Sequence, residues 1–399
     1  MSFTLIEEAK TVLTKINEAG YEAYLVGGCV RDYCLNKTPY DYDITTNALP
    51  NVIQEIFKDY KTIDSGIKHG TVGILINNRV IEVTTYRVDG EYLDSRHPSK
   101  VEFTSLLKED LKRRDFTMNA LALSIDGKII DYFNGKEDIE NKIIRAVGDP
   151  TLRFTEDALR ILRAGRFSSV LGFKIEQETS QAMIAQRKLL DNISKERINV
   201  ELVKLLCGDN VKEVLLSYKV IILQIIPELL LLSSNDYSLI VNNIGDLKKD
   251  ITTRLAYLLH RYDNEQVINI LKSLKFDNKT VDAVSKIVSS ISEKVVNDKV
   301  IIKKVLYKID VPLFYKLIDI KRVIDPKLKY DQIKDIVETI LKNNECYQLK
   351  KLKVNGSDLK KIGINGVKTG EVLNELLTAV INEEVENDKE KLLALAKKI

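Results

Sequence analysis

The chain has 399 residues, 44% of them hydrophobic and 30% charged, and a formal net charge of +3. This is the composition of a soluble globular protein with room for roughly two to four structural units, and so small a net charge confines any nucleic-acid surface to a local patch. No N-terminal stretch has the make-up of a signal peptide, no apolar run reaches the roughly 20 residues of a membrane helix, and the four scattered cysteines and three distant histidines have no zinc-site spacing. The expectation is a soluble, cytoplasmic protein whose cysteines are small buried hydrophobes.

In chain order, Thr4 to Ala19 reads as an amphipathic helix. Short β-like runs follow at Ala23–Val26, Tyr42–Thr45, Gly73–Ile76, Val80–Thr85, Leu121–Ser124 and Ile129–Tyr132, with turns at Asn77-Asn78 and Asp126-Gly127. Between them Ala48–Asp59 has helical periodicity, with Asn47 as its expected cap. After Gly148-Asp149-Pro150 apolar residues recur at three- and four-residue spacing to the end of the chain, which predicts helices. The most apolar stretch, Val220 to Leu232, is interrupted by Gln224, Pro227 and Glu228 and reads as buried core. The fold class is therefore α+β: a mixed head followed by an all-helical remainder.

Three constellations carry chemistry. Tyr24-Leu25-Val26 runs as a strand into Gly27-Gly28, and Val30-Arg31-Asp32 opens a helix. Paired glycines let the backbone approach a ligand, a helix start offers free N–H groups to phosphate, and Arg31 adds a cation. About ten residues later comes Asp41-Tyr42-Asp43. On a strand, alternate residues share a face, so both carboxylates project together while Tyr42 and Ile44 turn inward. Two carboxylates that close repel each other unless a cation sits between them, and hard oxygen ligands suit Mg²⁺. An isolated Asp-x-Asp is more often a solvated strand end; following a strand–Gly-Gly–helix turn, the metal reading prevails. A two-metal site asks for a third anionic group, for which Glu82 in an apolar strand is the best candidate, with a solvent-facing residue on an edge strand nearly as good an account.

The third constellation begins at Phe154-Thr155-Glu156-Asp157, read as the start of one helix. Ala158, Ile161, Leu162 and Gly165 group on its core side, and Asp157, Arg160, Arg163 and Arg166 on the other. Asp157 and Arg160 are then neighbours at i,i+3, which could be no more than a surface ion pair. A carboxylate beside a guanidinium also matches the amine donor and ring-nitrogen acceptor shared by cytosine and adenine, and mismatches uracil and guanine. Between these motifs, Arg113-Arg114-Asp115 could meet triphosphate and ribose oxygens or form a local charge cluster.

With these residues in view, the chain closely resembles the class II CCA-adding enzymes (tRNA nucleotidyltransferases) of the polymerase β-like superfamily. The likeness runs from Tyr24 to about Leu206 and adds Lys68-His69-Gly70-Thr71, Glu82 to Arg87, Arg113 to Ala120 and Ser194 to Arg197. It thins beyond about residue 210. The resemblance implies a nucleotidyltransferase head (1–149), a base-recognising neck (150–206), a body (207–310) and a tRNA-binding tail (311–399). It implies that Asp41 and Asp43 are catalytic Mg²⁺ ligands, and that Gly28, Arg31 and Arg114 contact the nucleotide, with Asp115 near its ribose. It further implies that Asp157 and Arg160 read the base, with support from Arg163 and Arg166, and that Glu196-Arg197 braces that helix. The expected partners are tRNA, CTP and ATP, with no membrane and no protein partner inferred. The segment from Arg87 to Leu111, with Tyr92 to Pro98 within it, resembles a loop that C-only enzymes lack, which favours the full CCA product. Leu258-Leu259-His260-Arg261-Tyr262-Asp263 lacks the His-Asp pair of relatives with a phosphohydrolase domain, so that activity is not expected. A poly(A) polymerase or A-adding enzyme of the same superfamily is the nearest alternative, and a catalytically silent RNA-binding protein a more distant one.

Overall fold

A computed structural model describes residues 5–90, 101–327 and 329–399. The chain divides into two compact units, 1–233 and 234–399. The break at Ser233/Ser234 falls inside the segment 207–310 of the sequence-based division.

The first unit opens with α1 (Glu7–Glu18), whose Ala9, Val12, Leu13 and Ile16 are fully buried at helical spacing. It continues through β1 (Ala23–Val26), α2 (Gly28–Cys34), β2 (Asp43–Thr46), α3 (Pro50–Ile56), β3 (Lys61–Ile63), β4 (Thr71–Ile76) and β5 (Arg79–Thr85). A short ribbon of β6 (Arg87–Asp89) and β7 (Val101–Phe103) precedes α4 (Leu107–Lys112), β8 (Leu121–Leu123), β9 (Ile129–Asp131) and α5 (Gly135–Glu140). Seven strands form one mixed sheet in the order β3-β4-β5-β2-β1-β8-β9. The Asn77-Asn78 turn joins β4 to β5 with both residues at positive φ (48° and 62°), as a two-residue hairpin requires.

The six expected strands are present with ends shifted by a residue or two. The three-residue β3, β6 and β7 went unread, being too short for a periodic signal. The helix expected over Ala48–Asp59 is shorter, and Asn47 is not its cap: Leu49 is the cap residue, Pro50 starts the helix, and the Asn47 side chain instead accepts a hydrogen bond from the Glu22 backbone N–H at 2.9 Å.

Past the Gly148-Asp149-Pro150 turn the first unit is mostly helical. Asp149 caps α6 (Pro150–Glu156), accepting from the N–H groups of Thr151 and Leu152. There follow α7 (Leu159–Leu171), α8 (Gln177–Gln186), α9 (Lys195–Leu206), α10 (Val211–Ser217) and α11 (Lys219–Ile225). One small parallel pair, β10 (Ile143–Ile144) with β11 (Lys174–Ile175), crosses the turn and ties the helices to the head. Phe116 meets Phe167 edge-on at 5.8 Å and extends that seam.

The second unit comprises ten helices and no strand among the described residues: α12 (Ser234–Asn243), α13 (Ile251–Leu258), α14 (Asn264–Ser273), α15 (Asn278–Ile291), α16 (Lys299–Lys308), α17 (Val311–Ile324), α18 (Tyr330–Lys342), α19 (Gly356–Lys361), α20 (Val367–Ile381) and α21 (Lys389–Ala396). Side-chain caps start most of them, including a reciprocal Asp263–Gln266 capping box on α14. No helix of the described residues is long and apolar enough to cross a membrane.

Candidate nucleotidyl-transfer site

The Gly27-Gly28 turn leaves β1 with Gly27 at φ 76°, ψ −133°, a conformation that only glycine adopts without strain. Space is also short there: a Cβ on Gly27 would lie 3.1 Å from an Arg114 nitrogen and 3.9 Å from the Asp43 carboxylate. The turn thus brings backbone, cation and carboxylate together at the start of α2. On that helix Arg31 binds its neighbour Asp32 at 2.8 and 3.0 Å and donates to Asn119 at 2.9 Å.

Asp41 lies just before β2 and Asp43 is its first residue; both are exposed, while Tyr42 and Ile44 between and after them are buried. The alternation read from the sequence is present. β5 pairs with β2 in parallel, and the register sets Glu82 directly opposite Asp43. Cross-strand partners project from the same face, so Glu82 stands beside Asp43. β5 has neighbours on both sides, which removes the edge-strand account of Glu82. Burial in the surrounding protein, then the charge of Glu82, pushes the Asp43 carboxyl above its ordinary range, and Arg114 opposes them. Among the described residues no three His, Cys, Asp or Glu side chains converge closely enough to hold a metal alone. What is present is an all-oxygen set, Asp41 and Asp43 with Glu82 alongside, in which like charges lie near one another. That arrangement fits a hard divalent cation sharing its shell with water and phosphate.

Arg114 is held by a residue the motif reading passed over. Asp110, fully buried on α4, binds Arg113 at 2.7 and 3.0 Å, lies 3.6 Å from Arg114, and accepts from Thr45 on β2 at 3.1 Å. The Nε of Arg114 is buried without a partner, so this guanidinium has donor capacity unspent. The i,i+3 and i,i+4 spacing of Asp110 to both arginines was the available signal.

The helical part departs from expectation in one important respect. A single helix does not run from Phe154; the chain breaks at Asp157 (φ −141°, ψ 100°), which ends α6, and restarts at Leu159. Asp157 and Arg160 therefore do not pair. Asp157 binds Arg197 at 3.0 and 3.2 Å. Arg160 binds Glu156 at 2.7 Å and the carbonyls of Arg153 and Arg113 at 3.1 and 2.9 Å. Nor does Arg160 lie on an outer face: it is 8% exposed. Two isolated charges next to each other in sequence cannot reveal partners 40 residues away.

Asp115, also buried, accepts from Arg163 at 2.8 and 2.6 Å, from Asn119 at 3.0 Å and from the Phe116 N–H at 2.8 Å. Burial alone would raise its carboxyl, but the Arg163 guanidinium and the Asn119 amide outweigh it and hold it far below the usual range. Arg166 binds Glu201 at 2.9 Å and lies over the Phe167 ring at 3.7 Å. Asn119, Glu201 and Phe167 were not singled out from the sequence. In the second unit, His260 shares a 2.6 Å hydrogen bond with the Tyr257 carbonyl and stacks on the Tyr257 ring. The Tyr92–Pro98 stretch lies outside the described residues.

Comparison with known proteins agrees with this architecture. The Poly A polymerase head domain family matches residues 23–145. The family described as the probable RNA and SrmB-binding site of polymerase A matches 172–230, and the putative tRNA nucleotidyltransferase domain 2 matches 248–396, well past the point where recognisable motifs end. A CCA-adding enzyme of Ligilactobacillus salivarius is 39% identical, over 98% of this chain and 96% of its own. One from Enterococcus faecalis is 38% identical over the same shares. The crystal structure of the Bacillus stearothermophilus CCA-adding enzyme in complex with CTP superposes with a TM-score of 0.81 at 32% identity, covering 98% of this chain and 96% of the other. Near-complete coverage at this identity, on a fold with a carboxylate-bearing sheet beside a glycine turn, leads to one conclusion: the chain belongs to the family of CCA-adding enzymes.

Proposed function

We propose that this protein adds C, C and A to the 3′ end of tRNA from CTP and ATP, using a divalent metal and no nucleic-acid template. The observation that carries the reading is the convergence of Asp43, Glu82 and Arg114 on the Gly27-Gly28 turn, in a chain similar over nearly its whole length to enzymes named for CCA addition. Mg²⁺ is the metal we favour, because an all-carboxylate set leaving room for water and phosphate oxygens is its usual environment. Asp41 and Asp43 would hold it, with Glu82 as third anion. Bound there, it would promote loss of the attacking hydroxyl's proton and offset charge developing on the α-phosphate.

The chain's own residues supply the rest. The amide end of the Gly28 turn, Arg31 and Arg114 receive the triphosphate, and Asp115, Arg163 and Arg166 support the nucleotide. Asp157 accepts from the exocyclic amine of C or A; its carboxylate keeps lone pairs free while bound to Arg197. Arg160 engages only part of its donor fork in its present bonds, leaving N–H groups for a ring nitrogen. Both bases share that donor–acceptor edge, and U and G invert it. We assign the head to 1–149, the neck to 150–206, the body to 207–310 and the tRNA-binding tail to 311–399.

The test supplies CTP, ATP, UTP and GTP singly to tRNAs ending before, within and one short of CCA, with Mg²⁺ present or chelated. Ordered addition of two C and one A, lost on chelation and restored by Mg²⁺, is the expected result. Long A tails would indicate a poly(A) polymerase, addition only to CC ends an A-adding enzyme, and no product an RNA-binding protein.

A further inference from the structure

Glu201 is a carboxylate, 5% exposed, on the face of α9 that also buries Ile198, Leu202 and Leu205. An ionised group there is costly unless it is paired. Its partners are two arginines of the facing helix α7, one turn apart: Arg166 at 2.9 Å and Arg163 at 3.8 Å. Two physical routes lead from those arginines back to the phosphate turn. Arg163 binds Asp115, Asp115 binds Asn119, and Asn119 accepts from Arg31 at 2.9 Å. Arg166 lies over the Phe167 ring at 3.7 Å, and the guanidinium of Arg31 lies 5.2 Å from the same ring. Both routes begin at Glu201 and end at Arg31.

We propose that Glu201 is a positioning residue that aims Arg31 at the triphosphate through Arg163 and Arg166, and takes no part in reading the base. The proposal rests on the nucleotide-binding role assigned above to Arg31. Base reading has a separate set of supports: Arg197 holds Asp157, and Glu156 holds Arg160. The two sets have no member in common. Loss of the Glu201 charge leaves Arg166 without its carboxylate and free to compete with Arg163 for Asp115, which disturbs Asn119 and so the bearing of Arg31. The triphosphate is common to CTP and ATP, so both nucleotides suffer alike.

The experiment measures kcat and KM for CTP and ATP, and kcat/KM for UTP, on full-length wild type, Glu201→Gln and Glu201→Asp. The expected result for Glu201→Gln is a rise in KM of about tenfold, the worth of one charge-assisted hydrogen bond, by the same factor for CTP and ATP. kcat should stay close to wild type and the CTP:UTP preference should not change. Glu201→Asp keeps the charge but withdraws it by about 1.5 Å, and should recover part of the KM. A folded Glu201→Gln with unchanged KM overturns the proposal, as does one that loses kcat alone or loses the CTP:UTP preference. Should Glu201→Gln fail to fold, Glu201→Asp decides: a several-fold shared rise in KM supports the proposal and an unchanged KM overturns it. A wild-type protein that adds no nucleotide would overturn the activity itself, an outcome distinct from all of these.

Discussion

Replacing Asp157 with alanine separates recognition of the base from the integrity of the fold. In the structure its carboxylate has one ion-pair partner, Arg197, at 3.0 and 3.2 Å, with the two side chains 19% and 25% exposed. A half-solvated pair of this kind is worth about 1 kcal/mol, so Asp157→Ala should stay folded. The effect on selectivity should be larger. With CTP the carboxylate accepts from the cytosine amine; with UTP it faces a carbonyl, and both groups are acceptors. The difference is at least one hydrogen bond to a charged group, about 1.5–3 kcal/mol, or roughly 10- to 100-fold in kcat/KM. The assay is single-nucleotide addition to a tRNA ending just before CCA, with kcat/KM measured for CTP and UTP on wild type and variant. The CTP:UTP ratio should fall by that factor, mainly through loss of CTP use. A ratio within twofold of wild type, in a variant of normal melting temperature, would refute the base-reading role.

Three further outcomes follow from the geometry. Asp43→Ala should lower addition by at least roughly a thousandfold, as loss of a group stabilising transition-state charge does, while tRNA affinity in a gel-shift titration changes less than twofold. Gly27→Ala forces a side chain into a glycine-only conformation and sets its Cβ 3.1 Å from Arg114. It should cost about 1–3 kcal/mol of stability and reduce kcat/KM for CTP and ATP together, as measured by thermal melting and steady-state kinetics. For Asp115, the folded carboxyl titrates below its unfolded value, so the stability it contributes is complete above about pH 4 and fades as pH falls further toward the folded value. Asp115→Asn leaves Arg163 short of a buried partner and should lose about 3 kcal/mol at pH 7. Melting temperatures taken from pH 7 down to pH 3 should then show a shallower acid decline than wild type; an equally steep one would contradict the assignment.

The local features of the site were legible because they depend on few neighbours in sequence. Alternation across Asp41-Tyr42-Asp43-Ile44 showed which side chains face out, and burial of Tyr42 and Ile44 follows it. The strand–Gly-Gly–helix turn was readable because a positive φ at Gly27 is a backbone requirement that leaves its mark as glycine. Asp157 and Arg160 stood out as charges at helical spacing, yet their pairing was misjudged. The i,i+3 rule assumes an unbroken helix, and the break at Asp157 sends the two side chains to Arg197 and Glu156 instead.

The sequence by itself determined the chemistry-bearing residues, the α+β head and the helical character of everything after Gly148-Asp149-Pro150, since each is written in short-range pattern. Tertiary structure alone decided what each charge meets. The β2–β5 register set Glu82 beside Asp43, Asp110 fixed Arg114, and Glu201 joined α9 to the arginines of α7. The reason is electrostatic. A buried charge must find an opposite charge or a hydrogen bond, and the partner is supplied by whatever strand or helix packs against it, at any distance along the chain.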